Sequence, residues 1–313
     1  MGLAPLRNSA LGRDDQAVLS QPSRRYICFD EPARRAMDAT AVPDVVRRPP
    51  SPRLAQLVSS ISYYRERGVG LTAFRHAAPL ALPLLLNFGT PFRIALGRPP
   101  DGADAQPSFT AGLFPGPVLI ESDGRAECVQ VDFTPLGAYR FYGGAVPHLT
   151  ARMVDIDDVL GREAGLLSEK VGDIPHWSRR FEIIEEFILR RAIHEPSPEI
   201  ASALDVLART AGTARVRDIA SDIGWSRKHL TRRFVNEVGV APKTLALMLR
   251  FHRACAMARS SAASGWAAIA VEAGYADQAH LTRDFRVFTG ETPTEWAARM
   301  ALSDPRMLRD AGG

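Results

Sequence analysis

Hydrophobic positions change their period several times along the 313-residue chain. Residues 1–52 hold no sustained period of 2 or 3.6. They carry the pairs Arg24-Arg25, Arg34-Arg35 and Arg47-Arg48 and end in Pro49-Pro50-Ser51-Pro52, so they read as a poorly ordered arm in which Arg25–Phe29 is a short strand. Pro52–Ile61 then reads as a helix, with proline at its start and Leu54, Leu57, Val58 and Ile61 at helical spacing. From Val69 to Phe133 the apolar runs become short and are punctuated by Gly, Pro and Asp. They are Leu82–Leu86, Phe92–Leu96, Phe109–Phe114, Val118–Glu121 and Cys128–Phe133, and together they predict a small β-sandwich or barrel. Pro99–Asp104 reads as a turn or hairpin tip. Val154–Lys170 and Trp177–Ile193 return to a helical period, and Glu195-Pro196-Ser197-Pro198 breaks it as a linker.

The last third of the chain repeats itself. Ile219-Ala220-x-x-Ile223-Gly224-Trp225 recurs as Ile269-Ala270-x-x-Ala273-Gly274-Tyr275, 50 residues later. Leu230, Phe234, Gly239 and Pro242 recur as Leu281, Phe285, Gly290 and Pro293, 51 residues later. Eight matching positions through one inserted residue mark two copies of one supersecondary unit. Each copy reads as helix, glycine turn, helix. Ser226 and Asp277 are the expected N-caps, and the aromatic after each glycine packs the turn. Leu230 and Phe234, or Leu281 and Phe285, lie four apart on the buried face of the second helix. Pro242 begins a long helix to about Ala258 that joins the copies.

The helices that follow the two turns carry the side chains that grip phosphates and read base edges in a major groove. In copy one these are Ser226, Arg227, Lys228, His229, Thr231, Arg232 and Arg233; in copy two, Asp277, Gln278, Ala279, His280, Thr282, Arg283 and Arg286. Charge supports this placement. Residues 198–300 hold 14 Lys/Arg against 10 Asp/Glu, a net +4 that equals the charge of the whole chain. Ser226–Phe234 contains four positive residues and no acid. His229 is open to two readings, a phosphate contact or a structural surface histidine. Arg233 differs from Arg232 in that its position allows the side chain to turn away from the groove.

With these residues in view, Pro198–Met300 resembles the AraC/XylS family of bacterial transcription regulators. The second copy carries the denser match: Ala273-Gly274-Tyr275, His280–Arg286 and Thr289-Gly290-Glu291-Thr292-Pro293. The family commonly has an aromatic-Arg pair after that proline. Here the pair is Trp296-Ala297, and Arg299 is the candidate replacement. The N-terminal half resembles the cupin-like sensor or dimerisation domains fused to this module, through Leu85–Pro91, Phe109–Leu113 and Val131–Ala138. The resemblance implies an α+β N-terminal domain, a small cupin-like β-sandwich or barrel plus helices, followed by an all-α domain of two helix-turn-helix units joined by a long helix. The expected division is an arm over 1–52, an effector-sensing or dimerisation domain over 53–193, a linker over 194–198, the DNA-binding domain over 199–300 and a tail over 301–313. The implied function is sequence-specific regulation of transcription on promoter or operator DNA, in response to a small-molecule effector. RNA polymerase and a second copy of the chain are further candidate partners. The alternatives are an enzyme-like N-terminal domain tethered to DNA, or a constitutive DNA binder whose N-terminal domain only dimerises.

Composition narrows the field further. The longest apolar stretch, Ala77–Leu86, is interrupted by Pro79 and Pro83, short of the roughly 20 residues of a spanning helix. No secretory h-region opens the chain, and Cys28, Cys128 and Cys255 are too scattered for a disulfide framework or a zinc site. The expected location is cytoplasmic. His76, His148 and His176 form no H-x-H pair, so neither metal nor cofactor is expected. G-x-S-x-G, H-E-x-x-H and phosphate-loop patterns are absent, so no catalytic residue is nominated. Ligand-binding residues stay unassigned, with Glu121, Asp132, Tyr139 and His148 the polar residues considered for a pocket wall.

Overall fold

The computed structural model describes residues 44–68, 72–260 and 265–302. The expected strand Arg25–Phe29 and most of the expected arm lie outside them. Ten strands and twelve α-helices are formed among the described residues. The strands are β1 Asp44–Arg48, β2 Val58–Arg65, β3 Thr72–His76, β4 Leu82–Asn87, β5 Phe92–Leu96, β6 Ala105–Gln106, β7 Phe109–Ala111, β8 Val118–Ser122, β9 Glu127–Phe133 and β10 Met153–Asp155. They form two antiparallel open sheets, ordered β1-β2-β9-β4-β7-β10 and β3-β8-β5-β6.

Strand β9 shows why this half of the sequence alternates only partially. Cys128 faces the apolar core between the sheets, with Tyr64, Phe92 and Ile120. Val129, Val131 and Phe133 face a second core built with helices. A strand covered on both faces needs few polar positions. The covering helices are α1 Pro135–Tyr142, α2 Val146–Leu149, α3 Ile156–Leu160, α4 Arg162–Gly172 and α5 Trp177–Arg191. Phe133 stacks on Phe141, with ring centroids 4.8 Å apart, and Phe141 meets Phe187 of α5 edge-on at 5.9 Å. Buried Arg180 of α5 ties helix to sheet. Its guanidinium donates to Glu127 at 2.8 Å and lies over the rings of Tyr63 and Phe88.

Three expectations need correction. Pro52–Ile61 is not a helix: residues 52–57 form a turn and β2 begins at Val58. Leu54 and Leu57 close the turn, with Leu57 and Val58 N–H both donating to Leu54 O. The serines and β-branched residues that follow pair with β9, a long-range contact that overrides a short helical period. Residues 44–48 are not part of an unstructured arm, because they pair with β2 in the register Val46↔Tyr63. Val154–Lys170 is not one helix. It holds the end of β10, then α3, then α4, broken at Gly161 with φ 72°.

The C-terminal part is helical: α6 Pro198–Arg209, α7 Val216–Asp222, α8 Arg227–Val238, α9 Pro242–Ser260, α10 Trp266–Glu272, α11 Gln278–Thr289 and α12 Pro293–Leu302. Its core is aromatic. Phe251 of α9 packs against Phe285 and Phe288, both at 5.0 Å, while Trp266 and Trp296 meet Phe285 edge-on. Cys128 and Cys255 are both buried; Cys28 lies outside the described residues.

Candidate nucleic-acid interface

The two units end their first helices at matching glycines, Gly224 with φ 73° and Gly274 with φ 89°. A Cβ at Gly274 would also meet Thr213 Cγ2 at 2.5 Å, so the turn of unit two rests on the loop before α7 of unit one. Ser226 accepts the backbone N–H of His229, and Asp277 accepts that of His280, so both expected caps form and start α8 and α11. Leu230, Phe234, Leu281 and Phe285 are fully buried. Burying those pairs turns the opposite face of each helix outward.

On α8, Arg227, Lys228, Thr231 and Arg232 are exposed. His229 is half-buried, its ring edge-on to Trp225 at 4.4 Å and its Nδ1 3.1 Å from an Arg232 nitrogen. Arg233 sits apart from this face. Its guanidinium donates to Ser197 Oγ and pairs with Glu237 at 2.8 Å. Glu237 is 1% exposed and also accepts the N–H and the hydroxyl of Ser197. Arg233 therefore neutralises a buried carboxylate at the linker.

On α11, Gln278, Ala279, Thr282, Arg283 and Arg286 line one shallow groove. Thr282 Oγ1 donates back to Gln278 O at 2.9 Å. His280 is half-buried against Tyr275, ring centroids 5.2 Å apart. Asp284 is half-buried and turned toward Tyr275, and burial holds its carboxyl above the ordinary range. Arg299 is bound to Glu291 at 3.0 Å.

A joint that the sequence did not reveal fixes the turn of unit two to the connecting helix. Arg250 of α9 donates to Gly274 O at 3.2 Å and lies over the Tyr275 ring at 5.4 Å. Its only sequence signal is its place on the connecting helix. Among the described residues no group of three His, Cys, Asp or Glu side chains could hold a metal, and no helix is long and apolar enough to cross a membrane.

The β-rich half contributes a cavity of about 130 Å³ between the two sheets and the C-terminal helices. Phe92, Ile120 and Gln130 line it from the sheets, and Phe251, Cys255 and Trp296 from α9 and α12. The polar residues weighed for a pocket wall lie elsewhere. Glu121 pairs with Arg93, His148 is exposed, Tyr139 packs near His194, and Asp132 is buried beside Gln130.

Residues 219–299 match a protein-family model described as a helix-turn-helix domain. That span begins inside α7 and ends inside α12, so it takes in both outward-facing helices and the joint between them. The C-terminal part of the chain is an AraC-type helix-turn-helix domain. A chain built around this domain is a DNA-binding regulator of transcription. Solved structures give only partial likenesses to this chain. ToxT from Vibrio cholerae O395 is 10% identical, with 84% of this chain and 98% of that chain covered and a TM-score of 0.40. Unsaturated fatty acid-bound ToxT from Vibrio cholerae strain SCE256 is 12% identical over 82% and 94%, with a TM-score of 0.37. The AraC-like transcriptional activator CuxR is 12% identical over 70% and 88%, with a TM-score of 0.28. No curated protein sequence matches this chain.

Proposed function

We propose that this AraC-type regulator reads a bipartite DNA site by placing α8 and α11 in successive major-groove segments. Arg227, Lys228, Thr231 and Arg232 are assigned to one half and Gln278, Thr282, Arg283 and Arg286 to the other. The observation that carries this reading is the equivalence of the two helices: capped at Ser226 and Asp277, each buries a Leu/Phe pair and leaves Arg227, Lys228 and Arg232, or Gln278, Arg283 and Arg286, exposed. Successive grooves lie about 34 Å apart, a distance that one connecting helix can serve. Phosphates fix register through arginine, and base edges supply specificity. Selection from random DNA by the full chain should return two conserved half-sites. With about 5 to 8 phosphates neutralised, log K should fall with log salt at a slope of roughly −4 to −7. A flat salt dependence sinks the reading.

The same reading makes residues 53–193 an effector-sensing domain and the cavity its ligand site. A cavity near 150 Å³ with apolar walls can bind a molecule the size of benzene, which points to a small, mainly apolar effector. It acts by binding one arrangement of the two halves better than another. Promoter DNA, RNA polymerase and a second copy are the partners of such a regulator, and the cytoplasm is its place. DNA affinity that does not change across a panel of small apolar acids and aromatics would leave the N-terminal half a dimerisation or scaffolding unit.

A further inference from the structure

The two DNA-facing helices end at glycines that are equivalent under the 51-residue offset, Gly239 and Gly290, both left-handed with φ 92° and 74°. Both ends are held by the β-rich half. At the first, Thr150 Oγ1 donates to Gly239 O at 2.7 Å, and a Cβ on Gly239 would meet Thr150 Oγ1 at 2.8 Å. At the second, the Ala78 N–H donates to Phe288 O at 3.0 Å, and Arg75 Nη1 lies 3.5 Å from Thr289 O and 4.0 Å from Glu291. The last carbonyls of a helix lack partners within it and carry its partial negative charge, so hydroxyl, amide and guanidinium donors suit both positions. Ala78 is fully buried, and its carbonyl is 2.7 Å from His252 Nε2 of α9. A carbonyl only accepts, so Nε2 carries the hydrogen. Ala77 and Pro79, on either side of Ala78, line the cavity.

We propose that Thr150, Arg75 and Ala78 are positioning residues for DNA reading: the β-rich half grips both recognition helices by their C-terminal ends and sets the distance between their reading ends. This rests on the two-helix reading above. The Arg250–Gly274 joint ties the connecting helix to the turn of unit two and leaves the far ends of α8 and α11 to these grips. A 12-residue helix is about 18 Å long. A tilt of about 10° about its held end swings the other end by about 3 Å, close to the roughly 3.4 Å rise of one base pair. Small changes at the grips therefore change which half-site spacing fits. The segment from Arg75 to Pro79 joins the cavity wall to the grip on α11, so the same contacts carry cavity occupancy to the DNA.

The test uses the full chain and the DNA site that the wild-type protein selects from a random pool. Affinity is measured for that site and for derivatives with one base pair inserted or deleted between the halves. The wild-type protein should lose about tenfold or more on each change, in line with the penalty for a misplaced base contact. Thr150→Val with Arg75→Gln should bind the selected site within about threefold of wild type and lose less than about threefold on respacing. Thr150→Ser, which keeps the hydroxyl, should retain the full penalty. A respacing penalty unchanged in the double variant overturns the proposal. So does an equal loss at every spacing, which is what a merely structural role gives. Wild-type protein that selects no bipartite site removes the two-helix reading itself, and this inference with it.

Discussion

Asp132 allows a quantitative test of the β-rich half. It lies on β9 with 1% exposure, and its two oxygens accept from Ser60 Oγ at 2.5 Å and Gln130 Nε2 at 2.6 Å. Burial pushes its carboxyl up from 3.8 to about 7, against the two hydrogen bonds and the more distant charge of Arg47. The folded protein thus keeps a proton that the unfolded chain has released. The sign follows: the stability linked to this proton is fully present below about pH 4 and is lost as pH rises toward 7. Three units correspond to roughly 4 kcal/mol in full, of which about 2 kcal/mol appears between about pH 5 and pH 7. Asp132→Asn removes the ionisation and keeps one acceptor oxygen for Ser60 or Gln130. Urea denaturation of both proteins at pH 5, 6, 7 and 8 should show the variant gaining about 2 kcal/mol relative to wild type from pH 5 to 7, then levelling off. Taking the difference between the two proteins cancels every other titrating group. Stability curves that run parallel across the whole range would refute the buried-carboxylate argument.

Three further outcomes are expected. Arg232→Ala and Arg283→Ala should each weaken specific binding by about 1–3 kcal/mol and relax preference in different halves of the site, as read by binding titrations on base-substituted DNA; an unchanged Arg283→Ala variant would leave unit two a scaffold. Arg233→Ala should lower folding stability by about 1–3 kcal/mol, by removing a partner of buried Glu237, while base preference in the same titrations stays as in wild type. Phe251→Ala should cost about 3–5 kcal/mol in thermal or urea unfolding, because it takes one ring from the Phe285–Phe288 cluster and widens the cavity.

The helix-turn-helix repeat was legible because its signals are local. Caps at Ser226 and Asp277, glycines at 224 and 274, and buried pairs four residues apart are written within single turns of chain, and the structure keeps every one of them. Strands β4, β5, β8 and β9 were legible for the same reason, as short apolar runs between breakers. The rest required contacts between distant residues. Leu54 to Ile61 has helical spacing, yet β2 exists because its residues find β9 some 70 positions away. Asp44–Arg48 looks unstructured alone and becomes a strand only beside β2. Arg232 and Arg233 are adjacent cations of one type. Which of them faces outward was settled by Glu237 and Ser197, which no local pattern connects to either. The cavity, the Arg250 joint and the grips on Gly239 and Phe288 belong to the same class. Periodicity determines which face of an element is buried; only tertiary packing determines what it is buried against, and with it which donors meet which carbonyls.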